Sequence, residues 1–202
     1  IREMEINGVQ SSYKEITCGV PQGSILGPLL FIIYINDFVM SCNTGSTIMF
    51  ADDTNIIYSG ESINQLVGTI NHELESASLW FAANKLSINI SKTTYMIFNT
   101  PCEIKKIGQM NLPDILLNNS PLSRVTTFKF LGVKLNESLS WCEHIKTVAN
   151  KLSSVNGVLS RLKRELPSET LSTIYMSLFL PHITYGLVCW YNADDASECK
   201  RL

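Results

Sequence analysis

The sequence predicts an α+β chain in two parts: antiparallel hairpins with helices over residues 1–138, then a helical region over 139–202. Three observations carry this. Runs rich in β-branched and aromatic residues, 47–51 and 54–58, flank the carboxylate pair Asp52-Asp53. A stretch dense in glycine and proline, 19–28, leads into an apolar run, 29–35. From Trp141 onward Ile145, Val148, Leu152, Val155, Leu159, Leu162 and Leu166 recur at alternating intervals of three and four, the stripe of a long amphipathic helix.

Taken in order, residues 1–18 alternate loosely around the turn-like Asn7-Gly8 and suggest a hairpin. Residues 19–28 form a shaped loop, because no regular element survives that density of glycine and proline. Pro28 suits the first turn of a helix, where its missing N–H is not needed. That helix is expected over 28–40. Its run 29–35 is too short to span a bilayer and reads as buried. The hairpin 47–58 places Asp52 and Asp53 at its tip. Residues 61–83 look helical through Ile63, Leu66, Ile70, Leu74 and Leu79. Strands are expected over 86–90 and 94–98, an irregular segment over 99–123, and a strand-turn-strand over 128–135 around Gly132. Pro167-Ser168 ends the long helix near 166 and starts another, which Pro181 is expected to break.

Charge is uneven along the chain. The whole carries a formal −2, but residues 1–80 hold Arg2 and Lys14 against nine acids, a net of −7. Residues 81–202 hold fourteen Lys and Arg against nine acids, a net of +5. An acidic front and basic rear fit a protein that holds cations in one part and phosphates in another; they equally fit clustered solvated charge. The six cysteines form no C-x-x-C pair and no zinc spacing, so they read as reduced, mostly buried thiols of an intracellular protein, nuclear or cytoplasmic.

Two adjacent carboxylates at a tight turn repel each other unless cations sit between them. Mg²⁺ takes oxygen ligands and commonly uses one or two carboxylates plus substrate phosphates. Phosphoryl transfer by two metals needs such carboxylates beside the reacting phosphate. Asp is also a common turn residue, so the pair alone does not decide. The preceding loop adds weight. Glycine costs conformational entropy, and Gly19, Gly23 and Gly27 within nine residues suggest that the backbone must approach something closely.

These residues carry a resemblance. The block 19–31, continuing to Tyr34-Ile35-Asn36-Asp37, resembles reverse transcriptases of non-LTR (LINE-type, jockey-like) retrotransposons. Phe50-Ala51-Asp52-Asp53-Thr54 resembles that family's catalytic hairpin. Trp80, Asn84-Lys85-Leu86-Ser87-Ile88-Asn89 and Lys92-Thr93 resemble the next palm motif. Phe130-Leu131-Gly132-Val133 resembles the primer grip, and Tyr175, Pro181, Tyr185-Gly186 and Trp190 resemble elements of the thumb.

The resemblance implies a right-hand polymerase, here a partial palm (1–138) followed by a helical thumb or connection (139–202). It implies RNA-directed DNA synthesis with Mg²⁺ (or Mn²⁺), with an RNA template, a DNA primer and dNTPs as partners and no membrane. Asp52 and Asp53 would be metal ligands and catalytic, and Pro21, Gln22, Gly23 and Ser24 would line the template and nucleotide site. Lys92 would neutralise the leaving pyrophosphate, or it is a solvated turn lysine. Phe130, Leu131 and Gly132 would hold the primer end, or pack as a plain strand pair. Arg161, Lys163 and Arg164 would meet nucleic acid, or form a solvated helix face. The family's pattern also has an aspartate on an earlier palm strand, and no Asp stands upstream of Gly19. The expectation is therefore a truncated polymerase, inactive alone; the alternative is a non-catalytic nucleic-acid-binding remnant of a retroelement.

Overall fold

The computed structural model describes residues 5–6, 9–10, 12, 19–20 and 23–191. It is a mixture of helices and two-stranded ladders, in two compact units. Unit 1 takes in Ile1–Asn89 and Pro113–Pro121; unit 2 takes in Ile90–Leu112 and Leu122–Leu202. Unit 2 includes the hairpin of residues 127–136 together with the helix that follows it.

In unit 1, β1 (Glu5–Ile6) pairs antiparallel with β2 (Val9–Gln10), the hairpin that Asn7-Gly8 suggested. Helix α1 (Leu26–Ile35) runs into a 3₁₀ turn, Asn36–Ser41. It starts two residues before Pro28, which still lies in the first turn, where no intrahelical N–H bond is lost. The Ser24 hydroxyl accepts the Gly27 N–H at 3.0 Å and so satisfies one of that turn's orphan donors.

The run 29–35 is not buried as the sequence suggested. Leu29, Leu30, Ile32 and Ile33 are all about half exposed or more, and only Ile35 is buried. The segment is apolar all round, so its pattern could not say which face turns inward. The face that does turn inward meets a core of Ile35, Phe38, Cys42 and Ala77, with Phe31, Met49, Ile56, Trp80 and Phe81 packed against it. Phe38 is the centre, 5.2 Å from the Trp80 ring and 4.8 Å from that of Phe81.

Strands β3 (Ser46–Phe50) and β4 (Asp53–Ile57) form the expected hairpin, with Phe50 opposite Asp53. Helix α2 (Ile63–Ala83) contributes Ala77 to the core against which Met49 and Ile56 of the hairpin pack. Its end has no glycine: Lys85 takes the left-handed conformation (φ 54), Lys85 N–H donates to Ala82 and Leu86 N–H to Phe81. This is the paired 6→1 and 5→2 bonding of a Schellman cap. The Asn71 side chain donates to the Asp114 carbonyl at 3.0 Å and accepts the Leu116 N–H at 2.8 Å. It thereby ties α2 to a hairpin the sequence did not suggest, β6 (Leu116–Leu117) with β7 (Ser120–Pro121), turning on Asn118 and Asn119, both at positive φ. Asn is the side chain that tolerates such a turn best after glycine.

The strand expected over 86–90 is absent, and in unit 2 that over 94–98 shrinks to β5 (Thr94–Tyr95), which pairs parallel with β8 (Ser123–Arg124). The irregular segment contains helix α3 (Pro101–Ile107). Thr100 caps it by accepting the Glu103 N–H, with Pro101 at the first position, signals that its surrounding prolines and glycine masked. Strands β9 (Thr127–Phe130) and β10 (Val133–Asn136) form the expected hairpin. Buried Glu137 receives both Nε and Nη2 of Arg124, at 2.9 and 2.7 Å.

Helix α4 (Cys142–Leu162) carries the long stripe, with Ile145 and Val148 buried, and stops short of the expected 166. Helix α5 (Ser168–Ile174) passes into a π-helical stretch, Tyr175–Phe179, and α6 (Leu180–Thr184). Pro181 therefore does not break the helix. The wider turn before it absorbs the missing N–H and the ring clash one turn back. A short helix, α7 (Leu187–Trp190), follows Gly186 at φ 63. Of the described cysteines only Cys42 is buried; Cys102 and Cys189 are exposed, against the expectation of mostly buried thiols. No helix among the described residues is long and apolar enough to cross a membrane.

Candidate active site and nucleic-acid interface

The carboxylate pair stands on the β3–β4 hairpin. Because Phe50 faces Asp53, only Ala51 and Asp52 form the loop. A two-residue loop matches the strand twist only in the primed turns, which need positive φ at the first loop residue. Ala51 supplies it at φ 52, a conformation costing an L-residue about 1–2 kcal/mol. Both Asp52 and Asp53 are exposed. The hairpin therefore offers oxygen donors from adjacent residues on a fixed turn, a donor type that suits Mg²⁺. Among the described residues no group of three or more His, Cys, Asp and Glu gathers to hold a metal ion, so the pair amounts to part of a ligand set.

The base of the same hairpin is anchored by Glu73, which the sequence reading missed. Its Oε1 accepts from Asn43 N–H at 3.1 Å, Thr44 N–H at 2.6 Å and the Thr44 hydroxyl at 2.7 Å, and its Oε2 from Gly45 N–H at 3.2 Å. Burial works to raise this carboxyl's pKa, but the hydrogen bonds from Thr44 and Gly45 outweigh it and hold it below the ordinary value. Its signal in the sequence was an acid lying on the apolar stripe of α2, between Ile70 and Ala77. Burial pushes the nearby Tyr58 hydroxyl well up, and the neighbouring Cys42 and Glu73 push it further.

The other candidates fall as follows. Pro21 and Gln22 lie outside the described residues. Gly23 is at φ 88, so a left-handed backbone rather than a close neighbour requires glycine there. Ser24 accepts the Gly27 N–H in the first turn of α1. In unit 2, Lys92 ends the 3₁₀ turn Ile90–Lys92 and is exposed. Phe130 is half-buried at the end of β9, and Leu131 and Gly132 form the turn, at φ 44 and 90. Arg161 in the last turn of α4, with Lys163 and Arg164 after it, is exposed, as they are. Lys163 also borders a shallow cleft with Asn156, Ser160, Ser168, Ser172 and Tyr175.

The β9–β10 turn is gripped by a part of unit 2 that sequence spacing could not connect to it. The Tyr185 hydroxyl donates to the Leu131 carbonyl at 2.5 Å. The indole N–H of Trp190 donates to the Tyr185 carbonyl at 2.9 Å. The buried His144 ring lies edge-on to Trp190, and its Nδ1 accepts the Lys134 N–H at 3.2 Å. Burial, aided by the charges of Lys151 and Lys134, lowers the pKa of this imidazole.

Residues 2–135 match the model of the family described as reverse transcriptase (RNA-dependent DNA polymerase). The chain belongs to the reverse transcriptase family. It is 27% identical over 192 residues to the RNA-directed DNA polymerase from mobile element jockey of Drosophila funebris, covering 90% of this chain and 20% of that protein. It is also 27% identical to a probable RNA-directed DNA polymerase from transposon X-element of Drosophila melanogaster, covering 95% of this chain and 21% of that one. A Pol polyprotein of the type-1 retrotransposable element R1 2 of Nasonia vitripennis is 25% identical over 86% of this chain and 43% of its own length. This reverse transcriptase chain spans about a fifth of the length of the first two relatives. No solved structure matches it.

Proposed function

We propose that this chain is the rear of the palm and the thumb of an RNA-directed DNA polymerase of a non-LTR retrotransposon. The observation that carries the proposal is Asp52 in the two-residue turn of the β3–β4 hairpin with Asp53 at the first position of β4, inside the segment that matches the reverse transcriptase family. The partners would be an RNA template, a DNA primer and dNTPs. In this reading Asp52 and Asp53 hold Mg²⁺ or Mn²⁺, the divalent ions used in such enzymes. Bound there, a pair of such ions would activate the primer 3′-hydroxyl and offset charge on the transferred phosphate. The Pro21–Ser24 stretch would line the template base and incoming nucleotide. Lys92 would counter the leaving pyrophosphate's charge. Phe130, Leu131 and Gly132 would hold the primer end, and Arg161, Lys163 and Arg164 the duplex backbone.

The test is Asp52→Asn in a longer polymerase that contains this chain, assayed by DNA synthesis on an RNA template. Loss of one metal-holding carboxylate should cost about 10²-fold or more in rate. Activity within a few-fold of the unaltered enzyme would sink the assignment.

A further inference from the structure

We propose that Tyr185 is a positioning residue for the primer end, holding the Leu131–Gly132 turn in a conformation it would not keep alone. The inference rests on the reading of that turn as the primer grip.

The turn is strained. Leu131, a branched side chain, sits at φ 44, in the left-handed region that such residues avoid. Strain of this kind persists where the surroundings over-determine the backbone. Here they do so from several sides. The Tyr185 hydroxyl holds the Leu131 carbonyl at 2.5 Å, and the same ring lies 3.0 Å from where a β-carbon on Gly132 would stand. Gly186, next in the chain, takes φ 63, and a β-carbon there would stand 3.2 Å from the Val133 side chain. Two glycines are therefore what let the Tyr185 segment and the turn approach this closely.

Tyr185 is itself fixed from behind. Trp190 holds its carbonyl, and His144 packs its ring edge-on against Trp190 at 5.4 Å. The circuit closes where His144 accepts the N–H of Lys134, two residues beyond Gly132. The Leu131 carbonyl thus has its direction set by a hydroxyl 54 residues away in sequence. Backbone groups that contact a primer must be aimed before the primer arrives, since ordering them on binding weakens affinity.

The experiment uses the whole chain and the variant Tyr185→Phe, which keeps the ring and removes the hydroxyl. Amide hydrogen exchange is read at residues 131–134. Binding is read by fluorescence anisotropy with two RNA–DNA hybrids, one with a recessed DNA 3′ end on its RNA template and one blunt. Losing one hydrogen bond should speed exchange about fivefold and weaken the recessed hybrid about fivefold, while sparing the blunt one. Gly132→Ala, which disturbs the turn directly, should do the same to the recessed hybrid. Unchanged exchange in Tyr185→Phe overturns the inference. So does faster exchange with undiminished binding of the recessed hybrid when Gly132→Ala does weaken it. Binding indifferent to both variants overturns the primer-grip reading instead.

Discussion

The hydroxyl of Tyr185 lies 2.5 Å from the carbonyl of Leu131, so one side chain late in the chain bears on a β-turn whose backbone is strained. The first prediction concerns the turn's glycine. Gly132 is at φ 90, and a β-carbon there would meet the Tyr185 ring at 3.0 Å. Gly132→Ala combines a backbone penalty with a contact that the ring must yield to. The expected loss is about 2 kcal/mol, read as a lower urea midpoint with unchanged slope. A midpoint equal to that of the unaltered chain would mean that the turn is free to relax.

A second prediction concerns Glu73, which gathers four donors from residues 43–45. Glu73→Gln puts an amide N–H₂ where one carboxylate oxygen accepted, leaving a buried N–H without its acceptor. The expected cost is about 1–3 kcal/mol. Because folding lowers this carboxyl's pKa, its contribution is present above the unfolded carboxylate pKa and is lost as pH falls through the lower folded one. Urea unfolding between pH 7 and pH 3 should show an acid limb that is smaller in Glu73→Gln.

The third prediction is a separate limb at milder pH. Folding lowers the pKa of His144, so the unfolded chain binds more protons there than the folded one, and stability rises with pH across that window. The contribution is intact above about pH 6.5, falls as pH drops below it, and levels off beneath the folded pKa. Protonation would also place an N–H on Nδ1, opposite the Lys134 N–H that it now accepts. His144→Asn keeps an acceptor near that position and cannot titrate. Its stability should be flat between pH 7 and pH 5.5, apart from other groups, and a slope equal to the unaltered chain's would assign the limb elsewhere.

These residues also mark what the sequence could and could not yield. The β3–β4 hairpin was legible because β-branched runs and a short gap between them are local signals, although its two-residue loop falls one residue earlier than the gap suggested, on Ala51-Asp52. The stripe of α4 was legible because helical periodicity is local too. Glu73, His144 and Tyr185 act through partners 10 to 54 residues away, and no spacing encodes such pairings. The exposed side of α1 was misread for a related reason: a segment apolar all round has no period to say which face is covered. At Pro181 the local rule was right about the clash, but a π-helical stretch resolved it without ending the helix.

The last prediction addresses nucleic acid. Arg161, Lys163 and Arg164 lie together, exposed, at the end of α4, in the part of the chain that carries a net +5. A polymerase moves along any sequence, so its duplex contacts should go to phosphates and sugars rather than base edges. Such contacts release counterions, and affinity then falls steeply with salt, the slope growing by about 0.9 for each phosphate neutralised on a B-form duplex. Asp52 and Asp53 oppose binding through their own charge until cations screen them. Affinity for an RNA–DNA hybrid should therefore rise with the first additions of Mg²⁺ and decline as ionic strength grows. Replacing Arg161, Lys163 and Arg164 together with Ala should weaken binding and flatten the salt slope by up to about 2.7, on the same counting of one phosphate per residue. Fluorescence anisotropy across a salt series reads both quantities. A salt-independent affinity, or an undiminished slope in the triple variant, would remove these three residues from the interface and leave the assignment of Asp52 and Asp53 untouched.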